Sequence, residues 1–177
     1  MSAKINIYLR AMEKRDIPRI VSWLAGEDYY RHNLTNYPYD NPRMLKNQLL
    51  KEVAVGRMIE SRTRLLVAEA NNEILTAFIS LQNFNWQHRH AILQIYIPPE
   101  FRTTDLGVVV AAQTYGYLFK DLNLHKIYTY IAGDNTEQLA RYKSREPEAI
   151  LYNYLRDGEN TEDLYIFGTF KKDAIKS

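Results

Sequence analysis

Alternating apolar and polar residues predict the strands of this chain. Residues 5–10 alternate and predict a first strand, and residues 64–70 and 73–82 predict a hairpin that turns at Asn71-Asn72. In the second half, strands and helical segments follow one another, which is typical of a mixed sheet with helices packed against it. The remaining strands are predicted at residues 91–97, 126–131, 149–155 and 164–170.

Apolar residues three and four positions apart predict four helices. The first follows Asp16, a favourable N-cap, and the second begins at Asn41-Pro42. A short helix is predicted at 135–143, whereas residues 26–40, which hold four tyrosines and a proline, predict an irregular loop. The longest helix begins near Gly107. Its expected apolar face comprises Val108, Ala111, Ala112, Tyr115, Leu118, Phe119 and Leu122.

Length and composition indicate one ordinary domain. The chain has 177 residues, of which 46% are hydrophobic and 25% charged, so we expect a single domain over residues 1–170 and a polar tail over 171–177. The absence of cysteine excludes disulfides, thiolate metal ligands and cysteine nucleophiles. Neither a signal-peptide core nor an apolar run of membrane-spanning length is present, so the sequence predicts a soluble, cytoplasmic protein without a membrane partner.

The charge balance argues against a dedicated nucleic-acid binder. The formal net charge is only +2, although residues 29–32 and 86–90 interleave aromatic and basic side chains in a way that could stack on bases. His88 and His90 lie two positions apart with no third ligand nearby, so we predict no metal site. Fourteen tyrosines indicate a wet cleft or an interface, and exposed edge strands are compatible with a homodimer.

The junction between the strand that ends at Ile97 and the helix near Gly107 is a candidate anion site. Unpaired backbone N–H groups and a partial positive charge gather at a helix N-terminus, and Arg102, Thr103 and Thr104 add a cation and two hydroxyls. Asp105 supports the alternative of an ordinary strand–helix turn. It is a good N-cap, and its charge would repel a phosphate.

Asn135 and Tyr142 form a second candidate pair. Their separation of seven residues is about two turns of a regular helix, which would bring both side chains to one face. A tyrosine hydroxyl can give a proton to a leaving group, and an asparagine can hold a polar ligand. The alternative is a capping asparagine and a buried tyrosine with no chemical role.

The order of several short segments resembles the GNAT superfamily of acyl-CoA-dependent N-acetyltransferases. The resemblance covers roughly residues 8–170 and is nearest to the ribosomal-protein N-terminal and spermidine N-acetyltransferase branch. Residues 8–18 are similar to the opening strand and helix of that family, and residues 121–127 to the end of its long helix. The family fold implied is α/β (α+β), with a mixed, mostly antiparallel sheet of about seven strands, helices on both faces and a splayed central strand pair. The other segments that carry the resemblance are residues 86–91, 99–102 and 134–142.

The resemblance implies an acetyl-CoA-dependent N-acetyltransferase in which a primary amine attacks the thioester directly. The amine would belong to a small molecule or a peptide, such as a polyamine, an amino sugar or a protein N-terminus. By position, Tyr142 would be the general acid, and Asn135 would contact acetyl-CoA. Ile95, Tyr96 and Ile97 would line the pantetheine, and the pyrophosphate loop would comprise Arg102, Thr103, Thr104, Asp105, Leu106, Gly107 and Val108.

Three departures from the family pattern leave a second hypothesis open. Asp105 stands where the family has a loop glycine, no Gly-Phe pair follows Tyr142, and residues 91–94 of the central strand hold no carboxylate. Glu69, Glu73 or a carboxylate of the 26–40 loop could be the base instead. The alternative is a GNAT-fold protein that has lost acetyl-CoA catalysis and is a binding module or uses another acyl donor.

Overall fold

One seven-stranded sheet forms the centre of the molecule in a computed structural model that describes residues 6–32, 34, 40–56, 61–71, 74–102, 104–157 and 159–174. The strands are β1 (Ile7–Ala11), β2 (Arg64–Ala70), β3 (Ile74–Asn85), β4 (His90–Tyr96), β5 (Lys126–Ala132), β6 (Ala149–Asp157) and β7 (Asn160–Phe170). Their order across the sheet is β1-β2-β3-β4-β5-β7-β6, and only β4 and β5 pair in parallel. The predicted mixed, mostly antiparallel sheet is therefore confirmed.

Helices cover both faces of the sheet. They are α1 (Ile17–Leu24), α2 (Glu27–His32), α3 (Pro42–Val55), α4 (Thr104–Gly116), α5 (Thr136–Ala140) and α6 (Lys171–Ala174), and a π-helical turn, Tyr117–Asp121, extends α4. On one face, α1 and α3 cover side chains of β2 and β3 such as Val67 and Phe78. On the other face, α4 packs against the intervening residues, such as Ala68 and Ile79. This division between the two faces follows from the alternation of side chains along a strand.

The helix α3 forms as its local sequence predicts. The Asn41 side chain accepts a hydrogen bond from the backbone N–H of Met44 at 3.1 Å, which satisfies one of the free donors at the helix start. Leu45, Leu49 and Val53, spaced four residues apart, are buried against α1 and the sheet. The N-cap and the apolar spacing therefore both favour this helix, and local sequence and packing on the sheet agree.

Two helix predictions were wrong. Residues 27–32 form α2 inside the segment predicted to be a loop. Val108, predicted to lie on the buried face of the long helix, is 69% exposed, whereas Leu106, Val110 and Leu118, spaced four and eight residues apart, are buried. The helix begins at Thr104, and the π-helical turn at its end adds a residue to one turn, so both Leu118 and Phe119 reach the core.

The ends of two other segments also differ from the sequence prediction. The helix predicted at 135–143 ends at Ala140, and Tyr142 lies in the turns that follow it. Residues 171–174, predicted as a polar tail, form the short helix α6. No helix in the part of the chain that the structure describes is long and apolar enough to cross a membrane.

Candidate functional site

The parallel strands β4 and β5 separate at the centre of the sheet. Their pairing covers only His90–Ile92 opposite Lys126–Tyr128, although β4 continues to Tyr96 and β5 to Ala132. The outer edge of β4 stays paired with β3 up to Tyr96, and that of β5 stays paired with β7 up to Ala132. The facing backbone edges of residues 93–96 and 129–132 therefore border a wedge-shaped gap, where an extended ligand can pair as an added strand does.

The N-terminus of α4 lies beside the end of β4. Leu106 is buried in the core, and a Cβ built on Gly107 would lie 3.7 Å from the Ile97 side chain, an ordinary contact distance. Asp105 is exposed in the first turn of the helix, one residue inside its start. The expected anion site is thus a real helix N-terminus that carries a carboxylate within its first turn. Thr104 is the first helical residue, and Thr103 lies outside the described residues.

Arg102, predicted to face a pyrophosphate, is held by the protein itself. Its Nη1 donates to Asp28 Oδ1 at 2.9 Å, its Nη2 donates to Asp28 Oδ2, and its Nε donates to the Ile97 carbonyl at 2.8 Å. The hydroxyl of Tyr96 also donates to Asp28 Oδ2, at 2.9 Å. Burial, followed by the Asp28 carboxylate, raises the pKa of Tyr96 above its usual value, which keeps this phenol protonated.

Asn135 is an N-cap in this structure. Its Oδ1 accepts from the Gln138 backbone N–H at 3.1 Å, and its Nδ2 donates to Gln138 Oε1 at 3.2 Å. The side chain is buried at the start of α5, which is the arrangement that the capping alternative describes. The predicted contact of Asn135 with acetyl-CoA stays a prediction.

Tyr142 packs on the face of the sheet that α4 covers. Its ring centroid lies 4.5 Å from that of Phe167 on β7, and the Arg145 guanidinium carbon lies 5.9 Å from the Tyr142 ring. The Arg145 backbone N–H donates to the Tyr142 carbonyl at 2.8 Å, so a tight turn follows the tyrosine where the family has its Gly-Phe pair. The aromatic side chain is therefore fixed by contacts on both sides.

A partly buried tyrosine on α4 reaches the same place. Burial raises the pKa of Tyr115, and the neighbouring Tyr142 hydroxyl raises it further, while hydroxyls of Thr129 and Thr169 act in the opposite direction. Arg145 Nη1 donates to Thr169 Oγ1 at 3.1 Å. The sequence predicts Tyr115 only on an apolar helix face, and it gives no signal for the two threonines or Arg145. No local motif joins these residues, since they come from α4, β5, β7 and a turn.

The three residues predicted to line the pantetheine do not share one face. Ile95 and Ile97 pack against the core under α4, whereas Tyr96 is buried on the opposite face with α1 and α3. Alternation along β4 requires this division, and only the backbone edge is common to all three. The side chains of Ile95 and Ile97 can therefore line a ligand on the α4 side, whereas Tyr96 would contribute only its backbone.

Two of the carboxylates considered as the base, Glu69 and Asp28, are paired with arginines. Glu69 Oε2 accepts from Arg10 Nε at 2.6 Å, and Asp28 is bound to Arg102. Glu73 lies outside the described residues.

Gln94 lies on the part of β4 that no longer pairs with β5. Its buried Oε1 has no hydrogen-bond partner among the described residues. A buried carbonyl oxygen without a donor is costly, so this position is suited to an N–H group of a ligand.

The described residues hold no group of three or more histidine, cysteine, aspartate or glutamate side chains that could bind a metal ion. The rings of His88 and His90 are stacked with centroids 6.4 Å apart, and His90 meets the edge of Tyr128 at 5.8 Å. Both histidines thus have aromatic contacts at the end of β4 where it still pairs with β5.

Comparison with known proteins agrees with this geometry. The family model of the acetyltransferase (GNAT) domain matches residues 6–143. Spermidine N(1)-acetyltransferase of Vibrio cholerae is 26% identical over 166 residues, which cover 94% of this chain and 88% of that protein.

Solved structures share the fold. Spermidine N-acetyltransferase from Vibrio cholerae in complex with CoA and spermine superposes with a TM-score of 0.81 over 96% of this chain and 98% of that chain, at 23% identity. The spermidine/spermine N-acetyltransferase SpeG from Vibrio cholerae in complex with manganese ions gives a TM-score of 0.76 over 96% and 95%, also at 23% identity. These proteins and this chain therefore share one fold.

Proposed function

Because the chain belongs to the GNAT acetyltransferase family, whose members use acetyl-CoA, we propose that it acetylates a primary amine of a short polyamine such as spermidine. The proposed reaction is direct attack of the amine on the thioester, with Tyr142 as the general acid. The observation that carries this proposal is the gap between β4 and β5, where parallel pairing ends at Ile92 and Tyr128.

The residues around the gap fit acetyl-CoA in two respects and oppose it in a third. The free backbone edge of residues 93–96 suits an extended pantetheine, and the first turn of α4 offers backbone N–H groups to the pyrophosphate. The charge of Asp105 opposes a phosphate at that turn. Since Asp105 is exposed, water screens the repulsion, and we expect weakened rather than abolished binding.

The chemistry assigned to the gap needs few groups. The amine nitrogen attacks the carbonyl carbon of the thioester, the carbon–sulfur bond breaks, and Tyr142 gives its hydroxyl proton to the departing sulfur. The amine loses its proton to water, since Glu69 and Asp28 are held by arginines. Gln94 Oε1, which lacks a partner among the described residues, is suited to accept from the amine and to orient it.

A polyamine as the acceptor is supported by the relatives and only partly by the charges of this chain. The curated relative is a spermidine acetyltransferase. In this chain Asp28 is neutralised by Arg102, so attraction of a cationic amine would come from exposed carboxylates such as Asp40. We therefore expect a lower affinity for the polyamine than a fully acidic site would give, and a strong dependence of that affinity on salt.

The direct test is acetyl transfer with spermidine as the acceptor, followed by mass spectrometry of the product and by release of the CoA thiol. Tyr142→Phe should lower kcat about 100-fold, because general acid catalysis contributes at least this factor. The matched control is Tyr152→Phe, which removes a hydroxyl from a tyrosine that is 73% exposed and should leave kcat unchanged. Equal kcat in wild type and Tyr142→Phe would remove Tyr142 from the mechanism.

A binding module that has lost acetyl-CoA chemistry is the second candidate function. Two observations favour it: Asp105 lies in the turn where a pyrophosphate would bind, and Arg102 is occupied by Asp28. Under this hypothesis acetyl-CoA would neither stabilise the protein nor be consumed. Stabilisation by acetyl-CoA without product would instead indicate a different acceptor amine.

Several properties stay predictions from the sequence. They are a single domain over residues 1–170, a cytoplasmic location, the absence of a resident metal ion and a homodimer. Size-exclusion chromatography with light scattering, with and without manganese, would test the last two together, because a shared metal site would couple them.

A further inference from the structure

Aromatic and basic side chains meet at the end of the sheet opposite the gap. Trp86 follows β3 and is 42% exposed, and its ring centroid lies 4.3 Å from that of Phe84. The Arg64 guanidinium carbon lies 5.1 Å from the Trp86 ring and 5.6 Å from the Phe84 ring. Arg62 is exposed beside them, since its carbonyl accepts from the Phe84 backbone N–H at 2.9 Å. This corner contains one of the two segments in which aromatic and basic residues interleave, and the proposed mechanism leaves it unused.

Basic side chains continue from this corner across the neighbouring strands. The turn between β3 and β4 exposes His88 and Arg89, and the Arg89 carbonyl accepts from the His125 N–H at 2.7 Å. The His125 carbonyl accepts from the Lys171 N–H at 3.2 Å, and the next residue, Lys172, is exposed. The row crosses five adjacent strands, from β2 to β7, and is about 19 Å wide. Its cationic residues, here called the basic end of the sheet, are Arg62, Arg64, Arg89, Lys171 and Lys172.

The cations of the basic end have no carboxylate partner among the described residues, and the buried Nε of Arg64 has no hydrogen-bond partner there either. Two carboxylates nearby do not cancel this charge. Glu148 pairs with Lys126 at 2.6 Å, and Asp121 is a single exposed carboxylate in the π-helical turn. A net charge of only +2 therefore coexists with a local excess of positive charge, which is the electrostatic footprint of an anionic partner. Arginines elsewhere do have carboxylate partners, among them Arg10, Arg19, Arg102 and Arg141.

We propose that the basic end binds single-stranded nucleic acid without reading its sequence. The arginine and lysine side chains along the row contact phosphates, and the exposed part of the Trp86 ring stacks on a base. An acidic peptide would use the cations but not the aromatic ring between them. An unpaired strand is favoured over a duplex, because a base must leave its helix before it can stack on a side chain.

This surface does not depend on the proposed acetyl transfer. It lies at the end of the sheet where β4 still pairs with β5, whereas the gap borders residues 93–96 and 129–132 at the other end. Both sites can therefore be occupied at the same time. A binding assay without acetyl-CoA or amine thus tests the surface by itself, and its result is independent of whether spermidine is acetylated.

The test is fluorescence anisotropy of a labelled single-stranded RNA of about 12 nucleotides, in a buffer without polyamines. We expect a Kd of about 1–100 µM at physiological salt, as is usual for sequence-independent binding. The logarithm of the association constant should fall linearly with the logarithm of the salt concentration, by about 0.7 for each phosphate contacted. Absence of binding at about 100 µM protein would overturn the proposal.

A pair of double variants tests whether the basic end is the binding surface. Arg89→Gln with Lys172→Gln removes two exposed charges from it and should weaken RNA binding about tenfold and reduce the salt dependence by about 1.4. Arg141→Gln with Arg156→Gln is the matched control. It removes the same net charge from exposed residues after α5 and beside the hairpin of β6 and β7, at the other end of the sheet. Equal weakening in the two double variants would overturn the assignment to the basic end.

Replacement of Trp86 tests the stacking contact. Trp86→Ala should weaken RNA binding at least about fivefold, whereas Trp86→Phe, which keeps a ring, should retain most of the affinity. Tyr154→Ala is the control, because it removes a ring that is 62% exposed on β6 and should leave the Kd unchanged. Unfolding midpoints of the three variants show whether each is folded.

Two competitors separate the alternative partners. Unlabelled RNA should displace the labelled strand far better than polyglutamate or an RNA duplex of the same length. If polyglutamate competes equally well and Trp86→Ala binds as wild type does, the surface suits an acidic protein and the proposal fails. Equal competition by the duplex would overturn the preference for an unpaired strand.

Discussion

The Arg102 guanidinium donates to both carboxylate oxygens of Asp28, which joins α2 to the loop that precedes α4. The same carboxylate accepts from the Tyr96 hydroxyl at the end of β4, and the Arg102 guanidinium carbon lies 5.8 Å from the Tyr96 ring. One aspartate thus ties together the three segments that border the expected pyrophosphate site. The family resemblance implies that Arg102 binds the pyrophosphate, but in this chain Asp28 neutralises its charge.

We expect Asp28→Asn to strengthen CoA binding about threefold to tenfold. Removal of the carboxylate charge leaves the Arg102 guanidinium uncompensated beside α4, and a favourable charge contact in a partly exposed site contributes about 1 kcal/mol. Isothermal titration of CoA measures the change. Glu100→Gln is the control, because it removes a charge of the same sign two residues from Arg102, where Glu100 pairs with Arg19 at 3.1 Å. Equal gains in both variants would mean that only the net charge matters.

Asp105→Gly should change stability in opposite directions with and without ligand. Without ligand, loss of an acidic residue from the first turn of α4 costs about 0.5 kcal/mol and lowers the unfolding midpoint slightly. With acetyl-CoA, the phosphate gains access to the backbone N–H groups, and we expect affinity to rise about tenfold. Thermal unfolding at a fixed acetyl-CoA concentration shows both effects.

Asp105→Asn separates the charge of this residue from its backbone effect. Asparagine keeps the size of the side chain and removes only the charge, so it should show most of the gain in acetyl-CoA affinity if repulsion is the cause. A gain confined to Asp105→Gly would point to backbone geometry, since glycine permits a closer approach of the phosphate. No gain in either variant would contradict the view that Asp105 weakens the site.

Sequence reasoning succeeded where local signals agree and failed where distant residues decide. The start of the second helix at Asn41-Pro42 depends on residues of that helix alone, and this prediction was confirmed. The burial of Val108 was predicted wrongly because the helix start and the π-helical turn, which are set by packing on the sheet, decide which residues face inward.

The candidate site shows the same division. The strand–helix junction could be predicted from the order of the elements along the chain, whereas Tyr142 lies in the turns after α5 and not in the predicted helix. The ion pair of Asp28 with Arg102 could not be predicted, because it joins elements far apart in the sequence. Arginine is a residue type that suits a phosphate, but Arg102 binds the carboxylate of Asp28. No local sequence pattern predicts that these two residues are close.

Val108 and Val110 offer a stability test of the face that α4 buries. Val110→Ala removes two methyl groups from a fully buried side chain and should lower the free energy of unfolding by about 2 kcal/mol. Val108→Ala removes the same groups from an exposed position and should change it by less than about 0.5 kcal/mol. Urea unfolding measures both. Equal losses would show that the helix presents a different face to the sheet.

Asp16 should make the stability of the protein depend on pH in the acid range. It is buried, and burial alone would raise its pKa, but hydrogen bonds from Arg10 at 2.7 and 2.9 Å and from the Glu13 N–H at 2.8 Å hold that pKa below the usual 3.8. The stabilisation is therefore present at neutral pH and is lost as pH falls through the lowered pKa. Asp16→Asn should cost about 3 kcal/mol at neutral pH in urea unfolding, and much less near pH 2.5.

Glu137→Gln is the control for this prediction. It breaks the exposed pair with Arg141 and should cost less than about 0.5 kcal/mol at either pH. A loss for Asp16→Asn that does not shrink in acid would mean that the amide fails for lack of fit, and the ionised carboxylate would then not be the stabilising form.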